Sequence, residues 1–370
     1  MQFHQVIVSA NPGDAITTAA YELRALLLQV GPSEIYSRYV HPDLQRSDSQ
    51  HPNLQNSVSQ LRDFAHRRTE KPANDVMIYH ASIGEPEVTR FVANRPERLI
   101  VIYHNISPSE RFLAFDPGFA GLLAAGRMEL ASLADKAVLA ITVSEYNAIE
   151  LRELGFGNVC VSPLIIDIER LKASAPNAST MNHFAVAEGP VVLFVGQMLP
   201  HKRPELLVEA YHILVTYLIP EAMLVLVGNH RLPRFSEQLE HQLNELNLYK
   251  AWLPGAVSLD MLAAFYRSAS VFVTLSEHEG FCVPLIEAMG FDVPVVARAV
   301  AAVPETTGGA AVLLPDEDDP SLAAEAMAEV IQSAPLRKQL IGLGRERVAL
   351  HDPDVARAEL VTRVFEVAPP

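Results

Sequence analysis

Short apolar runs alternate with amphipathic stretches along most of the chain. In the first half, five such runs predict strands, at 4–9, 76–80, 99–103, 138–143 and 158–162. Amphipathic stretches predict helices, at 15–30, 119–134 and 145–154. Apolar strands that alternate with helices are typical of a parallel sheet covered on both faces. The pattern therefore predicts the α/β class.

The second half repeats this pattern after a break in the rhythm. Strands are predicted at 191–195, 223–227, 271–275, 293–297 and 310–314. Helices are predicted at 203–217, 235–246, 283–290 and 320–333. The segment 166–189, rich in Ala, Ser and Asn, has little strand signal and is interpreted as a linker. Two doubly wound series predict two Rossmann-like domains that face each other across a cleft, with the ligand at the carboxyl ends of the strands.

The length of 370 residues fits two domains, since domains usually have about 100 to 200 residues. The predicted organisation is an N-terminal domain, a linker, a C-terminal domain and a closing helix, at 1–168, 169–189, 190–350 and 351–370. Hydrophobic residues make up 49% of the chain and charged residues 20%, which is typical of a globular protein with real cores.

The formal net charge of −15 disfavours two classes of partner. Non-specific nucleic-acid binding needs a basic surface, and so does docking on anionic lipid through bulk charge. A local basic stretch does exist, formed by Arg62, His66, Arg67, Arg68 and Lys71. Two interpretations stay open: contact with a membrane or anionic acceptor through the N-terminal domain, or a solvated helix face, which is the commoner case.

The N-terminus and the cysteines indicate the compartment. The first residues have no basic region followed by a long apolar core, and no apolar run approaches the ~18 residues that span a bilayer. We therefore expect a cytoplasmic protein, with membrane association only on the cytoplasmic face. Cys160 and Cys282 lie far apart in apolar runs, which favours reduced thiols over a disulfide or a zinc site.

The strongest functional pattern is SEHEGFCVPLIE at 276–287, which follows a predicted strand and opens a helix. Pro284 suits the first helical turn, and Gly280 allows a ligand to approach the backbone. The N–H groups of Phe281, Cys282 and Val283 would point outward at the positive end of the helix dipole. This segment therefore predicts an anion site.

Two carboxylates, Glu279 and Glu287, bracket this segment and can accept hydrogen bonds from separate hydroxyls of one ligand. With the Gly-Phe pair and Pro284 between them, they resemble the E-x7-E signature of retaining GT-B glycosyltransferases, glycosyltransferase family four. The resemblance implies that Glu279 contacts the donor sugar and that Glu287 holds the ribose hydroxyls. The alternative is a pair of surface glutamates at an ordinary helix N-terminus.

A second segment, GQMLPHKRP at 196–204, resembles the family segment in which an Arg and, five residues later, a Lys hold the donor diphosphate. Lys202 matches the lysine, but Gln197 stands where the arginine is expected. A neutral amide cannot offset phosphate charge as a guanidinium does. Either Arg203 or His201 compensates, or the leaving group is stabilised less strongly here.

Two strand ends of the first half supply further candidates. Gly13 makes a tight turn in the place of the family's glycine loop, and Asp14 either orients a substrate or caps the following helix. His104 follows strand 99–103, and the resemblance implies that it contacts the donor sugar near the reacting carbon; the alternative is a structural histidine. Ser144 is interpreted as a helix N-cap.

The remaining candidates concern the nucleotide and metals. Asn229 and Val257 fall where the resemblance implies nucleotide-binding loops. Asp316-Glu317-Asp318 fits a metal-binding D-x-D pattern, but it precedes Pro320 and a helix, which favours helix capping. We therefore predict no metal and no cofactor beyond the donor.

The activity implied by the resemblance is transfer of a hexose from a nucleoside diphosphate sugar to an acceptor hydroxyl with retention of configuration. GDP-mannose and UDP-glucose are both candidate donors, and a glycan or lipid-linked acceptor of cell-surface polysaccharide or glycolipid synthesis is the expected partner. The family also implies that the closing helix crosses back to the first domain. Two alternatives stay open: a nucleotide-sugar 2-epimerase, and an impaired nucleotide-sugar-binding partner protein with Gln197 as the lesion. A nicotinamide enzyme is disfavoured, since the first turn lacks G-x-G-x-x-G.

Overall fold

The computed structural model describes residues 1–44, 57–64, 72–187 and 189–368. The chain divides into two units. The first comprises Met1–Ser109, Gly118–Ile165 and Pro353–Pro370, and the second Glu110–Pro117 and Ile166–Asp352. Of the basic stretch, His66, Arg67, Arg68 and Lys71 lie outside the described residues.

The first unit is built on a seven-stranded sheet of order β3-β2-β1-β4-β5-β6-β7, in which every recorded pairing is parallel. Its strands are β1 (Phe3–Ala10), β2 (Ser33–Val40), β3 (Ser59–Gln60), β4 (Val76–Ala81), β5 (Arg98–Tyr103), β6 (Ala137–Thr142) and β7 (Val159–Val161). Its helices are α1 (Ala15–Leu27), α2 (Leu61–Phe64), α3 (Pro86–Ala93), α4 (Pro117–Ala131) and α5 (Glu145–Glu153). Strands β1, β4 and β5 are almost wholly buried, as a parallel sheet covered on both faces requires.

The final helix, Pro353–Val367, completes the core of the first unit although it is distant in sequence. Its Val364 is fully buried in one apolar cluster with Phe3 and Leu27. The rings of Phe365 and Phe3 lie 6.3 Å apart. Arg98 at the start of β5 donates to the Val367 carbonyl at 3.2 Å, which satisfies one of the carbonyls left unpaired at a helix end.

The second unit has a six-stranded parallel sheet of order β10-β9-β8-β11-β12-β13. Its strands are β8 (Val191–Val195), β9 (Met223–Val227), β10 (Ala251–Gly255), β11 (Val271–Thr274), β12 (Val295–Arg298) and β13 (Val312–Leu314). Its helices are α6 (Ile168–Ala173), α7 (Ala178–Ala187), α8 (Pro204–Ile213), α9 (Pro233–Glu245), α10 (Leu259–Ser268), α11 (Val283–Gly290), α12 (Val303–Thr307), α13 (Pro320–Gln332) and α14 (Ala334–Ala349). A π-helical turn, Leu214–Leu218, extends α8.

The segment 166–189, which the sequence analysis interpreted as a linker, instead contains α6 and α7 and belongs to the second unit. Phe184 of α7 is buried, with its ring centroid 5.9 Å from that of Phe265 in α10 and 6.0 Å from that of Trp252 in β10. An Ala-rich segment without strand signal is equally compatible with a linker and with a helix, since Ala is the strongest helix former. Only the aromatic contacts decide between them.

The predicted fold class, two parallel-sheet α/β domains, is confirmed. The predicted strands agree with the observed ones to within two residues at each end, apart from those that the prediction omitted. Throughout the described ranges, every helix is too short or too polar to cross a bilayer.

Candidate functional site

A buried ion pair joins two neighbouring strand ends of the second unit. Lys202 closes the turn after β8, and Glu279 lies in the loop between β11 and α11. Because β8 and β11 are adjacent parallel strands, the loops at their carboxyl ends lie side by side. Lys202 Nζ donates to Glu279 Oε2 at 2.6 Å, and the Glu277 N–H donates to the His201 carbonyl at 2.9 Å. The two predicted residues are therefore held in direct contact.

The charges of this pair are largely shielded from water. Glu279 is 6% exposed, and removing one partner would leave a buried charge without compensation. Burial alone would lower the pKa of Lys202, but the Glu279 carboxylate beside it raises that pKa above its usual value. The amine therefore stays cationic at neutral pH.

The N-terminus of α11 supplies donors beside this pair. In the described part of the chain, the N–H groups of 281–283 donate to no backbone carbonyl. Pro284 lies in the first turn, as predicted from the sequence. Unpaired N–H groups at a helix N-terminus attract anions, because the helix dipole adds to the individual donors.

Cys282 caps α11 in a left-handed conformation, with φ 72° and ψ 71°. Such a conformation is costly for a residue other than Gly. Burial raises the pKa of the Cys282 thiol, and Glu279 beside it raises it further, so the thiol is neutral at physiological pH.

Glu287, one turn into α11, is paired with a tyrosine that the sequence analysis did not single out. The Tyr266 hydroxyl donates to Glu287 Oε2 at 2.7 Å. Burial raises the pKa of Glu287, and the bond from Tyr266 offsets part of that rise. Tyr266 is fully buried and stacks on Phe291 with ring centroids 5.3 Å apart. A tyrosine on the apolar face of an amphipathic helix is typical of core packing, so its position along the chain does not indicate a role in a site.

Three glycines line up where β8, β9 and β10 end. The Gly228 N–H donates to the Gly255 carbonyl at 3.0 Å, and a Cβ on Gly228 would lie 1.7 Å from the Gly196 carbonyl oxygen. Only glycine fits this close approach of the turn after β9 to the turn after β8. The exposed side chains of Gln197 and Asn229 flank this backbone.

Val257 and its loop follow the third of these strand ends. Val257 is half-buried between β10 and α10, next to the exposed Ala256 and Ser258. Val257 therefore follows Gly255, the last residue of β10, closely in sequence. A nucleotide-binding loop at this strand end would have this position.

Arg203 and His201 do not offer a free charge to replace the missing arginine. Arg203 is engaged by three carboxylates, those of Glu205, Glu277 and Asp318. Burial alone would lower the pKa of Arg203, but these partners raise it overall. Burial, with Lys202 beside it, holds the pKa of His201 well below its usual value, so the ring is neutral at physiological pH. The geometry does not favour compensation by either residue.

The acidic run before α13 has a different structural role from the predicted one. Asp316 and Asp318 pair with Arg298, with shortest N–O distances of 2.6 and 2.8 Å. The helix cap is the next acidic residue, Asp319, which accepts from the Ser321 N–H at 2.8 Å. The capping interpretation of Asp316–Asp318 was therefore wrong in its residues, because Asp319 is the cap and Arg298 engages Asp316 and Asp318 instead.

In the first unit, His104 follows β5 and is half-buried. Its Nε2 lies 2.9 Å from Nδ1 of the buried His80 in β4. Burial lowers the pKa of His104 to about 4, so the ring is neutral at physiological pH. The chain turns at the next residue, since Asn105 is left-handed with φ 75°.

Gly13 and Asp14 form the turn between β1 and α1. Gly13 is left-handed with φ 73°, as the predicted tight turn requires. Asp14 caps α1, and its Oδ2 accepts from both the N–H and the hydroxyl of Thr17 at 3.0 Å. Ser144 caps α5 in the same way, as the sequence indicated. The capping alternative for Asp14 is thus present in the structure, and its Oδ1 is not used by these bonds.

Comparison with known proteins identifies the second unit. Residues 181–347 match the family model of the group 1 glycosyl transferases. The chain has the GT-B fold, and its residues 181–347 form a group 1 glycosyl transferase domain. The predicted resemblance is confirmed at this level, and the candidate site in α11, β8 and their loops lies inside the matched domain.

Individual relatives agree with this assignment. The chain is 25% identical to O-antigen chain mannosyltransferase B of Escherichia coli over 251 residues. This match covers 64% of the chain and 62% of the relative, so the chain spans less than two thirds of that relative's length. Two solved structures share its fold. Sucrose-phosphate synthase from Thermosynechococcus elongatus has a TM-score of 0.77 at 19% identity, covering 99% of each chain. Anabaena HepE in complex with UDP and glucose has a TM-score of 0.72 at 15% identity, covering 99% of this chain and 100% of that one.

Proposed function

We propose that the protein is a glycosyltransferase that moves a hexose from a nucleoside diphosphate sugar to an acceptor hydroxyl and retains the anomeric configuration. The observation that carries this proposal is the buried pair of Lys202 and Glu279 beside the N-terminus of α11. A cation, a carboxylate and unpaired N–H groups together suit a ligand that has both a diphosphate and a polyhydroxylated sugar.

The acceptor oxygen forms a bond to the anomeric carbon as the bond from that carbon to the diphosphate breaks. Negative charge grows on the departing phosphate oxygen, which takes up the proton of the acceptor hydroxyl. An ammonium has three donors, so Lys202 can keep its bond to Glu279 and still donate to a phosphate oxygen. The N–H groups of 281–283 stabilise the same charge without a metal. The Glu279 carboxylate accepts from hydroxyls of the transferred sugar. The N–H groups of 281–283 and the Lys202 ammonium thus act on the leaving group, and the Glu279 carboxylate acts on the sugar.

The nucleoside binds along α11 and the glycine-lined strand ends. Tyr266 occupies Oε2 of Glu287, which leaves Oε1 to accept from the ribose hydroxyls. Beside these strand ends, the exposed side chains of Gln197 and Asn229 are available to a ligand. Backbone groups near Val257 and the side chain of Asn229 complete the contacts to the base. The second unit is in this way the donor-binding domain.

In the first unit, two side chains at strand ends can accept hydrogen bonds from sugar hydroxyls. They are Asp14, whose Oδ1 is not used by the cap, and the neutral His104. GDP-mannose and UDP-glucose are the proposed donors, supported by a relative named as a mannosyltransferase and by a fold relative solved with UDP and glucose. The proposed acceptor is a glycan or lipid-linked hydroxyl in cell-surface polysaccharide or glycolipid synthesis.

One observation favours a second candidate, a protein that binds nucleotide sugars without turnover. Gln197 stands in the place of an arginine, and Arg203 is occupied by carboxylates. The diphosphate would then have one cation where the family has two, so the leaving group would be stabilised less.

The test is a panel of GDP-, UDP-, ADP- and dTDP-sugars, with release of nucleoside diphosphate measured with and without a glycan acceptor. We expect acceptor-stimulated release with one donor, which Lys202→Ala lowers by about 10²- to 10³-fold. Lys338→Ala, which removes an exposed lysine of α14, is the control and should behave as wild type. Binding without release indicates the second candidate, and donor turnover without an acceptor indicates an epimerase. Failure to bind every nucleotide sugar contradicts the proposal.

A further inference from the structure

A row of three polar side chains crosses the core of the first unit. Gln5 lies in β1, His80 in the adjacent β4, and His104 at the end of β5, the next strand. Gln5 Oε1 lies 2.9 Å from His80 Nε2, and His80 Nδ1 lies 2.9 Å from His104 Nε2. The two imidazole planes are inclined by only 11°. Gln5 and His80 are 0% and 1% exposed, so the row runs from the sheet interior to the half-buried His104.

Because Gln5 Oε1 is the amide atom that faces His80, these contacts assign the ring protons. A neutral imidazole has one donor nitrogen and one acceptor nitrogen. A carbonyl oxygen only accepts, so His80 Nε2 carries the proton that Gln5 Oε1 binds, and His80 Nδ1 is an acceptor. His104 Nε2 must then carry a proton and donate it to His80. The remaining nitrogen, Nδ1 of His104, is an acceptor.

Both rings are neutral at physiological pH. Burial holds the pKa of His80 well below its usual value, and the neighbouring His104 lowers it further. Burial lowers the pKa of His104 in the same way. Because both rings are neutral, each has a single ring proton, and its position on His80 determines its position on His104.

A requirement for packing alone does not explain this row. An apolar side chain at position 5 would fill the same space without a desolvation cost. Instead, Gln5 Nε2 is buried and has no hydrogen-bond partner among the described residues. A buried polar group that is only partly satisfied costs about 1–3 kcal/mol, so such a group in a sheet core needs a reason other than stability.

We propose that Gln5 and His80 are positioning residues that hold His104 as its Nε2–H tautomer, so that Nδ1 accepts a hydrogen bond from a hydroxyl of the bound sugar. The backbone holds the ring in place as well. The His104 N–H donates to the Ala81 carbonyl at 2.9 Å, and the Asn105 amide donates to Asn147 Oδ1 at 2.8 Å just beyond it. The sugar contact rests on the proposed function, whereas the tautomer does not.

The test measures the tautomer directly in the full-length protein. Two-bond proton–nitrogen correlation spectra of 15N-histidine-labelled protein distinguish protonated from unprotonated ring nitrogens. The His104 signals are assigned by their loss in His104→Asn. We expect Nε2 of His104 to be protonated and Nδ1 unprotonated in the wild type.

Three variants of the row test the cause. Gln5→Met keeps the shape but removes the acceptor, so His104 should populate both tautomers. Gln5→Glu restores an acceptor and should restore the single tautomer. If Gln5→Met does not fold, His80→Phe removes the ring nitrogens while filling the volume and should give the same mixture. Ser37→Ala, in which a buried hydroxyl of the adjacent β2 is lost, is the matched control and should leave the tautomer unchanged.

The kinetic readout is separate. Losing one well-placed acceptor should lower kcat/KM for sugar transfer about tenfold in Gln5→Met, with recovery in Gln5→Glu. A wild-type Nδ1–H tautomer, or an unchanged tautomer in Gln5→Met, overturns the proposal. A tautomer change with unaltered kcat/KM overturns the sugar contact. The predicted tautomers in a protein that transfers no sugar would contradict the proposed function and support the positioning of His104.

Discussion

The strand ends of the two units differ in the kind of polar group that they present. In the second unit, Lys202 and Glu279 meet as full charges, and the helix dipole of α11 adds to them. In the first unit, His104 is a neutral ring whose protonation is governed by another neutral ring, His80. The parallel sheet of the second unit thus carries a charged site, and that of the first unit an uncharged one.

The difference agrees with what each site would bind under the proposed function. A diphosphate leaving group gains charge during transfer, so fixed charges and dipoles stabilise it more as the reaction proceeds. A sugar hydroxyl stays neutral, and a neutral acceptor binds it without the cost of desolvating a charge. We therefore expect variants of the second unit to change turnover most, and variants of the first unit to change pH dependence and sugar contacts.

The largest expected effect is that of Lys202→Ala. Turnover should fall by about 10²- to 10³-fold, because one preorganised partner of the leaving group is lost. The free energy of unfolding should also fall by about 3–5 kcal/mol, since Glu279 is left buried and unpaired. Initial rates and urea denaturation measure the two effects.

The double variant Lys202→Met/Glu279→Gln separates these contributions. It removes both charges, so stability should largely return while turnover stays low. Recovery of turnover in the double variant would mean that the charges serve the fold alone.

Tyr266→Phe should have the next largest effect. Without the phenol, Glu287 loses one hydrogen bond, and burial then raises the pKa of that carboxyl further. The KM for the donor should rise about tenfold, with a smaller change in kcat, because ribose contacts are the same in the ground and transition states. Tyr211→Phe, which loses a buried hydroxyl bonded to the Ala222 carbonyl, is the matched control and should leave KM unchanged. An equal change of KM in both variants would contradict a role for Tyr266 in the site.

The neutral ring of the first unit predicts a pH effect on stability. His104 has a pKa of about 4 in the folded chain, against about 6.5 when unfolded. Between these values the unfolded state binds more protons, so stability is lost as pH falls from about 6.5 to about 4. His104→Asn should make the urea midpoint less dependent on pH across that window. His183→Asn, at an exposed histidine of α7, is the control; the same change in both variants would contradict the assignment.

The smallest expected effect concerns backbone strain in the charged site. Cys282→Gly should raise the free energy of unfolding by about 1 kcal/mol, because Gly adopts the left-handed conformation without penalty. Cys282→Ala removes the thiol but keeps the strain, so it should not stabilise the chain. Thermal denaturation of the two variants distinguishes relief of strain from loss of the sulfur; stabilisation by Ala alone would contradict this account.

The sequence predicted the regular elements well where their patterns were plain. Strands such as 191–195 and 223–227 were predicted with their observed bounds, because runs of buried aliphatic residues admit few other interpretations. Strand β2 was missed, since its buried Ser33 and Ser37 interrupt the apolar pattern. A polar residue that the sheet buries has the same appearance in sequence as one in a loop.

The candidate site was predictable only in its motif-bearing part. Glu279 and Lys202 stand out by their motifs, whereas the ion pair between them was not predicted. The engagement of Arg203 by Asp318 depends on residues 115 positions apart, and the row from Gln5 to His104 spans three strands. Such contacts arise from sheet order, which local sequence patterns do not specify.

The most direct test of the central claim is a calorimetric titration of GDP and UDP into the wild type, Lys202→Ala and Lys338→Ala. If Lys202 and the N-terminus of α11 hold the donor diphosphate, one nucleotide should bind the wild type and Lys338→Ala alike. It should bind Lys202→Ala at least tenfold more weakly, since a charge-assisted bond of about 1.5–3 kcal/mol is lost. Equal affinity in all three proteins would contradict the account.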